Sequence, residues 1–312
     1  MSSSPGAARA RLKAGRPLLL DAAMGSELQR RGADTRLPLW SARALIEDPE
    51  LVARVHREEV AAGADILTAN TFRTHGRTLA KAGLAERAEE LTRLALELAR
   101  EAARESPRTV LVAGSLAPLE DCYRPDLVPG DDALEREHGA QARRLAAAGA
   151  DLLLLETHNT VREVLAAARA ARSTGLPYVA SFVTDGNGRL LSGEPLADAV
   201  AALSPLEPDA VGVNCVPARR LSSDLEALAA AAPEAGLTAY ANLGLPADGA
   251  GWAFTEELAP AEYAEAAAAW ISPRLRIVGG CCGTTPAHTA ALRGLLDSAG
   301  NVQRISIASP NE

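Results

Sequence analysis

The chain has 312 residues, 47% hydrophobic and 23% charged, a composition close to that of ordinary globular proteins, which argues against wholesale disorder. Its formal charge is 32 − 40 = −8 with no long basic run, so nucleic acid and anionic membrane surfaces are poor partners, and no apolar stretch approaches the ~18 residues of a membrane span. Lys13 and Lys81 are the only lysines, so arginine supplies nearly all the basic residues, and with aromatics at 3% the core is expected to be Leu, Val and Ala.

The opening stretch, MSSSPGAARARLKAG, lacks the apolar segment of a secretory signal. It is Arg-rich and acid-poor but too short to be read as an organelle presequence. From there short apolar runs recur at Leu18–Asp21, Asp65–Asn70, Val110–Ser115, Asp151–Glu156, Tyr178–Val183, Ala210–Cys215, Thr238–Leu243 and Arg276–Gly280. Between them lie Ala/Leu/Glu/Arg segments with helical spacing, among them Leu84–Glu105, Leu134–Ala148 and Val161–Ser173. The phrase AAGAD precedes the second run and recurs before the fourth, placing Gly63 and Gly149 where a helix C-terminus needs a residue tolerant of positive φ. Strand alternating with helix indicates a parallel sheet, and eight repeats in a chain of this size predict a closed (β/α)8 TIM barrel, an α/β fold. No linker divides the chain. One barrel over residues 1–300 and a polar tail over 301–312 are expected.

Barrels of this kind carry their chemistry at the C-terminal ends of the strands. Three of the four cysteines stand at such ends: Cys215 after the sixth run, Cys281 and Cys282 after the eighth. Neighbours on a regular strand point to opposite faces, so the strand must end and turn at the Cys281–Cys282 pair for both thiols to face one point, and the flanking glycines permit that. The sixth and eighth strands flank the seventh, about 9–10 Å apart at their ends. Three thiolates with an open fourth position describe a catalytic zinc (Zn2+) site. A strained disulfide between the vicinal cysteines, packing as small hydrophobes, and closure to four ligands by Cys122 in the loop PLEDCYRPDLVPG are the competing readings. Four cysteines make no secreted disulfide framework, so a thiol-reducing, cytoplasmic setting is expected.

VGGCCGTTPAHTAALR, GVNC, LLLETHN and LDAAMGSELQRRG together resemble the homocysteine S-methyltransferase family over about Leu18 to Leu296. The resemblance implies a (β/α)8 barrel, zinc held by Cys215, Cys281 and Cys282, and transfer of a methyl group to the thiol of homocysteine, giving methionine. It matches Asp21 and Glu156, which end the first and fourth runs, to acidic positions that bind substrate, with the substrate ammonium as their expected partner. Capping a turn and pairing with an Arg are the alternatives for these two carboxylates.

Further candidates are graded by position. Gly25 sits in an expected loop whose N–H groups could approach a carboxylate. Asn70 and Thr71 follow the second strand and are expected either to line the pocket or to cap the next helix. Asn214 is read as fixing loop geometry, and Asn242 as a donor beside the zinc ligands. His158 is expected to be a solvent-facing loop residue, and His288 is assigned no role. The resemblance places Trp40 near the methyl donor, with a packing anchor as the alternative. It also puts Arg73 and Thr157 where betaine-dependent relatives have tyrosines. With few aromatics to form a cation cage, the expected donor is a free sulfonium, S-methylmethionine or S-adenosylmethionine, rather than betaine. Another thiol or selenol acceptor, betaine, or a separately encoded methyl-cobalamin module are alternatives within the fold. A non-catalytic zinc- or thiol-binding barrel is the alternative of another class. A zinc hydrolase is disfavoured because such sites prefer His and carboxylate ligands. The expected partners are small molecules; oligomeric state is not legible.

Overall fold

Each of the eight apolar runs forms a strand: β1 (Leu18–Leu19), β2 (Ile66–Ala69), β3 (Leu111–Ser115), β4 (Leu152–His158), β5 (Tyr178–Phe182), β6 (Ala210–Pro217), β7 (Leu237–Asn242) and β8 (Leu275–Gly280). The computed structural model describes residues 5–247, 251–255 and 258–307. The eight strands pair in parallel in the order β1-β8-β7-β6-β5-β4-β3-β2, and a parallel bridge between Leu20 and Ile66 returns β2 to β1. The result is the (β/α)8 barrel that the alternation predicts.

Alternate residues of each strand face two different cores. Leu152 and Leu154 of β4 point into the barrel beside Leu20, Ile66, Leu111 and Ile277, while Leu153 and Leu155 point out against the helices. A strand buried on both faces reads as a continuous apolar run, which is why LLLL occurs here. The helices Ala88–Glu105, Asp131–Ala147 and Val161–Ser173 form part of the outer layer.

Gly63 and Gly149 both have positive φ, 108° and 87°, as the AAGAD repeat requires. The acidic residue of the repeat has a second task. Asp65 accepts from the backbone N–H of Leu19 (3.0 Å) and Asp151 from that of Val112 (2.8 Å). Asp209 does the same for Tyr178 (3.1 Å), so carboxylates at the N-terminal end of the barrel satisfy strand donors left over by the parallel ladder.

Two elements carry no periodic signal in the sequence. A helix over Pro5–Leu12 places Ala8 and Leu12 in the barrel-interior cluster, closing the end opposite the chemistry, and Arg9 pairs with Asp209. A hairpin of Leu245–Ala247 and Gly251–Ala253 follows β7. The final helix runs Pro286–Ile307, past Asn301, where a polar tail is expected to begin; residues 308–312 of that tail lie outside the described residues.

Candidate active site

The mouth of the barrel holds a cavity of about 370 Å³ whose wall includes Asp21, Gly25, Trp40, Asn70, Glu156 and the three cysteines Cys215, Cys281 and Cys282. The cysteine Sγ atoms all lie within 4.8 Å of one another. Two departures from regular strand geometry bring them there. β6 shifts register between Asn214 and Pro217, with Cys215 at φ 54° in the left-handed region. β8 ends at Gly280, and the chain turns through Gly283 at φ 88°.

Gly283 is held on both sides. Its N–H donates to Ser26 Oγ (2.8 Å), and a Cβ at this position would lie 2.0 Å from the Leu243 carbonyl oxygen. Gly283→Ala therefore forces the Cys281–Cys282 turn to move. The positive φ alone should cost about 1–3 kcal/mol in a denaturant melt, and bound metal should fall with it. An unchanged melt with full metal content would show that the turn is not what sets the cluster.

Asn214, ahead of the cysteine, never reaches the cavity wall. Its Oδ1 accepts from the Thr157 N–H (2.8 Å) and its Nδ2 donates to Thr157 Oγ1 (3.0 Å). Thr157 is itself at φ 63°, so one side-chain amide ties the irregularity in β4 to the one in β6. Asn242 donates to the Cys215 carbonyl (2.9 Å), with the Sγ at 3.9 Å. Tyr123 Oη lies 3.2 Å from Cys215 Sγ. Its signal in the sequence is slight, an aromatic in an arginine- and proline-rich loop. Cys122 beside it is buried and lines the cavity, yet the described residues form a cluster of three thiols, without it.

Three thiols this close cannot all ionise without a cation to offset the repulsion. Hydrogen bonds from Cys281 and Cys282 hold the Cys215 thiol well below the ordinary range, while Cys281 and Cys282 are pushed up by sharing their protons with it. All four cysteines are free thiols, so the vicinal disulfide is not what the structure contains, and Cys122 stands outside the group of three sulfurs.

The carboxylates are buried and held rigidly. Both oxygens of Asp21 accept from Thr68, from its N–H and its hydroxyl (2.8 Å each). Burial raises the Asp21 pKa well above the usual carboxylate range, with Glu59 adding to the effect. Glu156 accepts from the Ser115 hydroxyl, and burial lifts its pKa to about 7. Neither carboxylate has an Arg or Lys partner among the described residues. A cationic group entering between them would relieve that desolvation.

Other expectations need correction. Gly25 is not in a loop: it lies in the first turn of the helix Met24–Arg30, whose early N–H groups have no intrahelical acceptor. Thr71 does not line the cavity. Its Oγ1 accepts from the Ser115 N–H (2.9 Å) and donates to the Ser115 carbonyl (3.0 Å), setting the serine that holds Glu156. Neither Thr71 nor Asn70 caps the next helix, Gly76–Ala80, whose N-cap is His75. Asn70 does line the cavity and donates to the Ser41 carbonyl (2.9 Å). His158 is not solvent-facing. It ends β4 fully buried, its Nε2 lies 3.1 Å from the Leu116 carbonyl, and burial lowers its pKa to about 4. His288 braces a loop, with Nδ1 accepting from the Thr285 N–H (3.1 Å) and Nε2 3.0 Å from the Leu258 carbonyl.

Trp40, at φ 48°, lies against Gly25 and Gly251: a Cβ on Gly25 would sit 2.3 Å from its Nε1, and one on Gly251 3.0 Å from its Cζ3. The hairpin that carries Gly251 is clamped by Gln29, which exchanges two 2.9 Å hydrogen bonds with the Trp252 backbone. This hairpin adds Pro246, Ala247 and Trp252 to the cavity wall.

The family model for homocysteine S-methyltransferase matches residues 18–296. A homocysteine S-methyltransferase of Escherichia coli is 35% identical over 300 residues, covering 88% of this chain and 94% of that protein. One of Bacillus subtilis is 30% identical over 288 residues, covering 86% and 91%. Among solved structures, the metallated form of the Escherichia coli homocysteine methyltransferase MmuM superimposes with a TM-score of 0.77 at 32% identity, covering 89% of this chain and 96% of that one.

Proposed function

Because the chain belongs to the homocysteine S-methyltransferase family and is a methyltransferase, we propose that it moves a methyl group from a small sulfonium donor to the thiol of homocysteine, forming methionine, with zinc at the three clustered cysteines. The observation that carries this reading is the convergence of Cys215, Cys281 and Cys282 on one point of the cavity that also presents Asp21 and Glu156.

The donor set fits zinc. Three sulfurs within 4.8 Å of one another match ligands whose bonds to zinc are about 2.3 Å, and three protein ligands leave a position for substrate. Bound there, zinc supplies the positive charge that keeps a substrate thiol, ordinarily of pKa about 8.5, in its nucleophilic thiolate form at neutral pH. The chain's own residues do the rest. Asp21 and Glu156 receive the homocysteine ammonium, and first-turn N–H groups near Gly25 face its carboxylate. Tyr123 and Asn242 fix Cys215. A sulfur lone pair then attacks the donor methyl carbon in line. The bond from that carbon to the sulfonium sulfur breaks, and its electron pair returns to the leaving sulfur. Thiolate and sulfonium thus become two neutral thioethers.

No helix of the described residues is long and apolar enough to cross a membrane. Adjacent free thiols suit a reducing compartment such as the cytoplasm.

The test is methionine formation from homocysteine with S-methylmethionine, S-adenosylmethionine and betaine at equal concentration. Turnover with either sulfonium above that with betaine is expected. A faster betaine rate, or no methionine with any donor, overturns the reading. Trp40→Ala should lower kcat/KM for the sulfonium by more than about twofold, since a cation–π contact is worth ~0.5–2 kcal/mol, and a smaller loss would remove Trp40 from the donor's surroundings.

A further inference from the structure

Between the end of β3 at Ser115 and the short turn Pro125–Leu127 the chain has no regular secondary structure, yet its peptide groups are pinned by side chains from elsewhere. His158 Nε2 lies 3.1 Å from the Leu116 carbonyl, and Glu163 accepts from the Leu119 N–H (2.8 Å). Arg73 donates to the Glu120 carbonyl (2.9 Å), and Asn159 Nδ2 donates to the Cys122 carbonyl (2.8 Å). Three of these four side chains come from one stretch, 158–163, where β4 passes into the helix Val161–Ser173. Asn159 is fully buried and its Oδ1 has no hydrogen-bond partner, so the Cys122 carbonyl is the contact that its amide makes among the described residues.

The residue after that carbonyl is Tyr123, whose Oη reaches Cys215 Sγ at 3.2 Å. A thiolate bound to a metal carries no proton and can only accept, so with the site filled the hydroxyl is the donor. The Asn242 amide stands farther from the same sulfur, at 3.9 Å, and donates more closely to the Cys215 carbonyl (2.9 Å). Among the described residues no side chain from outside the cluster donates to the sulfur of Cys281 or Cys282. The three sulfurs are therefore unequal. A hydrogen bond to a ligand sulfur stabilises its negative charge and reduces what it gives to the metal. We propose that Tyr123 is a positioning residue that acts on the metal through Cys215, donating to its thiolate and making it the weakest electron donor of the three, and that Asn159 holds Tyr123 there. This rests on the reading that the three cysteines hold a metal for methyl transfer. It gives the loop after β3 a task that its side-chain bracing serves: delivering one hydroxyl to one sulfur.

The experiment loads the full chain with Co2+, whose thiolate charge-transfer band reports how strongly the sulfurs donate, and measures zinc affinity by competition with a chelator. Tyr123→Phe should bind zinc about twofold to tenfold more weakly, the range of one net hydrogen bond. Its band should move to longer wavelength, because a sulfur without that donor gives up charge more easily. Asn159→Ala and the similar-sized Asn159→Leu should shift both readings in the same direction. Adding either to Tyr123→Phe should weaken zinc by less than about twofold further, since residues that act through one contact are not additive. An unchanged band and affinity in Tyr123→Phe overturn the proposal. Fully additive losses in the double variants, or circular dichroism showing both Asn159 variants unfolded, overturn the part assigned to Asn159. A wild type that takes up neither metal overturns the proposal and the metal site together. Metal bound with the expected shifts but no methionine formed would leave Tyr123 and Asn159 in their roles and remove the proposed reaction, so the two failures are separable.

Discussion

Cys281→Ala/Cys282→Ala is expected to leave a folded barrel with almost no zinc and no methyl transfer, against about one zinc per chain in the wild type. A four-ligand thiolate site is worth roughly 10–16 kcal/mol, so each ligand lost removes about 3 kcal/mol or more, a hundredfold or greater drop in affinity per ligand. Cys215→Ala should act in the same direction and additionally release Tyr123 from its sulfur contact. Metal analysis after dialysis, with circular dichroism as the control for folding, reads the outcome. Full zinc occupancy in the double variant would remove the cluster from the role of metal site. Cys122→Ala is the internal contrast: its thiol lies outside the three-sulfur group, so zinc content should not change.

The second large effect is expected at the carboxylates. Glu156→Gln should weaken homocysteine binding by about tenfold to a hundredfold, the worth of a charge-assisted contact of ~1.5–3 kcal/mol, while leaving zinc in place. Its effect on stability has the opposite sign. Burial raises the folded-state pKa of Glu156 from 4.5 to about 7, so the folded protein prefers the protonated form. That preference is fully present below about pH 4.5 and is lost as the pH rises to about 7. The shift of 7 − 4.5, or about 2.5 units, corresponds to about 3 kcal/mol at 1.36 kcal/mol per unit. The Gln variant keeps an acceptor for Ser115 but has no charge to desolvate. It should therefore melt higher than the wild type at pH 8 and equally at pH 4. Homocysteine affinity of the wild type should fall below pH 7 as Glu156 takes up a proton, and that break should be missing in Glu156→Gln. Equal affinity in the two proteins at pH 8 would end the ammonium-binding role. Asp21→Asn should follow the same pattern in binding, because burial likewise raises Asp21.

How much of this was legible in the chain follows from what kind of force made each feature. The eight strands were visible because a parallel strand buried on both faces must be apolar throughout, as Leu152–Leu155 are. The positive φ at Gly63 and Gly149 was visible because glycine is the residue that takes it without strain. The convergence of the thiols was legible in part, from strand order and from the glycines that flank Cys281 and Cys282, while the positive φ of Cys215 that completes it was not. What stayed hidden were features carried by residues of ordinary type in unusual places. Thr157 and Cys215 have positive φ without being glycine, and nothing local marks them; the Asn214 amide that braces Thr157 comes from another strand. His158 sits in a polar stretch, LETHN, that suggests a loop, yet β4 continues through it and buries it completely. The helix Pro5–Leu12 has little amphipathic pattern, because two side chains, Ala8 and Leu12, are enough to close the barrel floor. Tyr123 reaches Cys215 from 92 positions away, a contact set by tertiary packing and not by any spacing in the sequence.

β8 is the last stave to be synthesised, and it carries two of the three thiols on its end. It is also the strand that joins β7 to β1, so the barrel cannot shut until it docks. On a ribosome, Cys215 emerges well before its partners, and metal capture must wait for the seam to close. The three-thiol cluster is therefore the last part of the barrel mouth to be assembled, complete only once the final stave has docked.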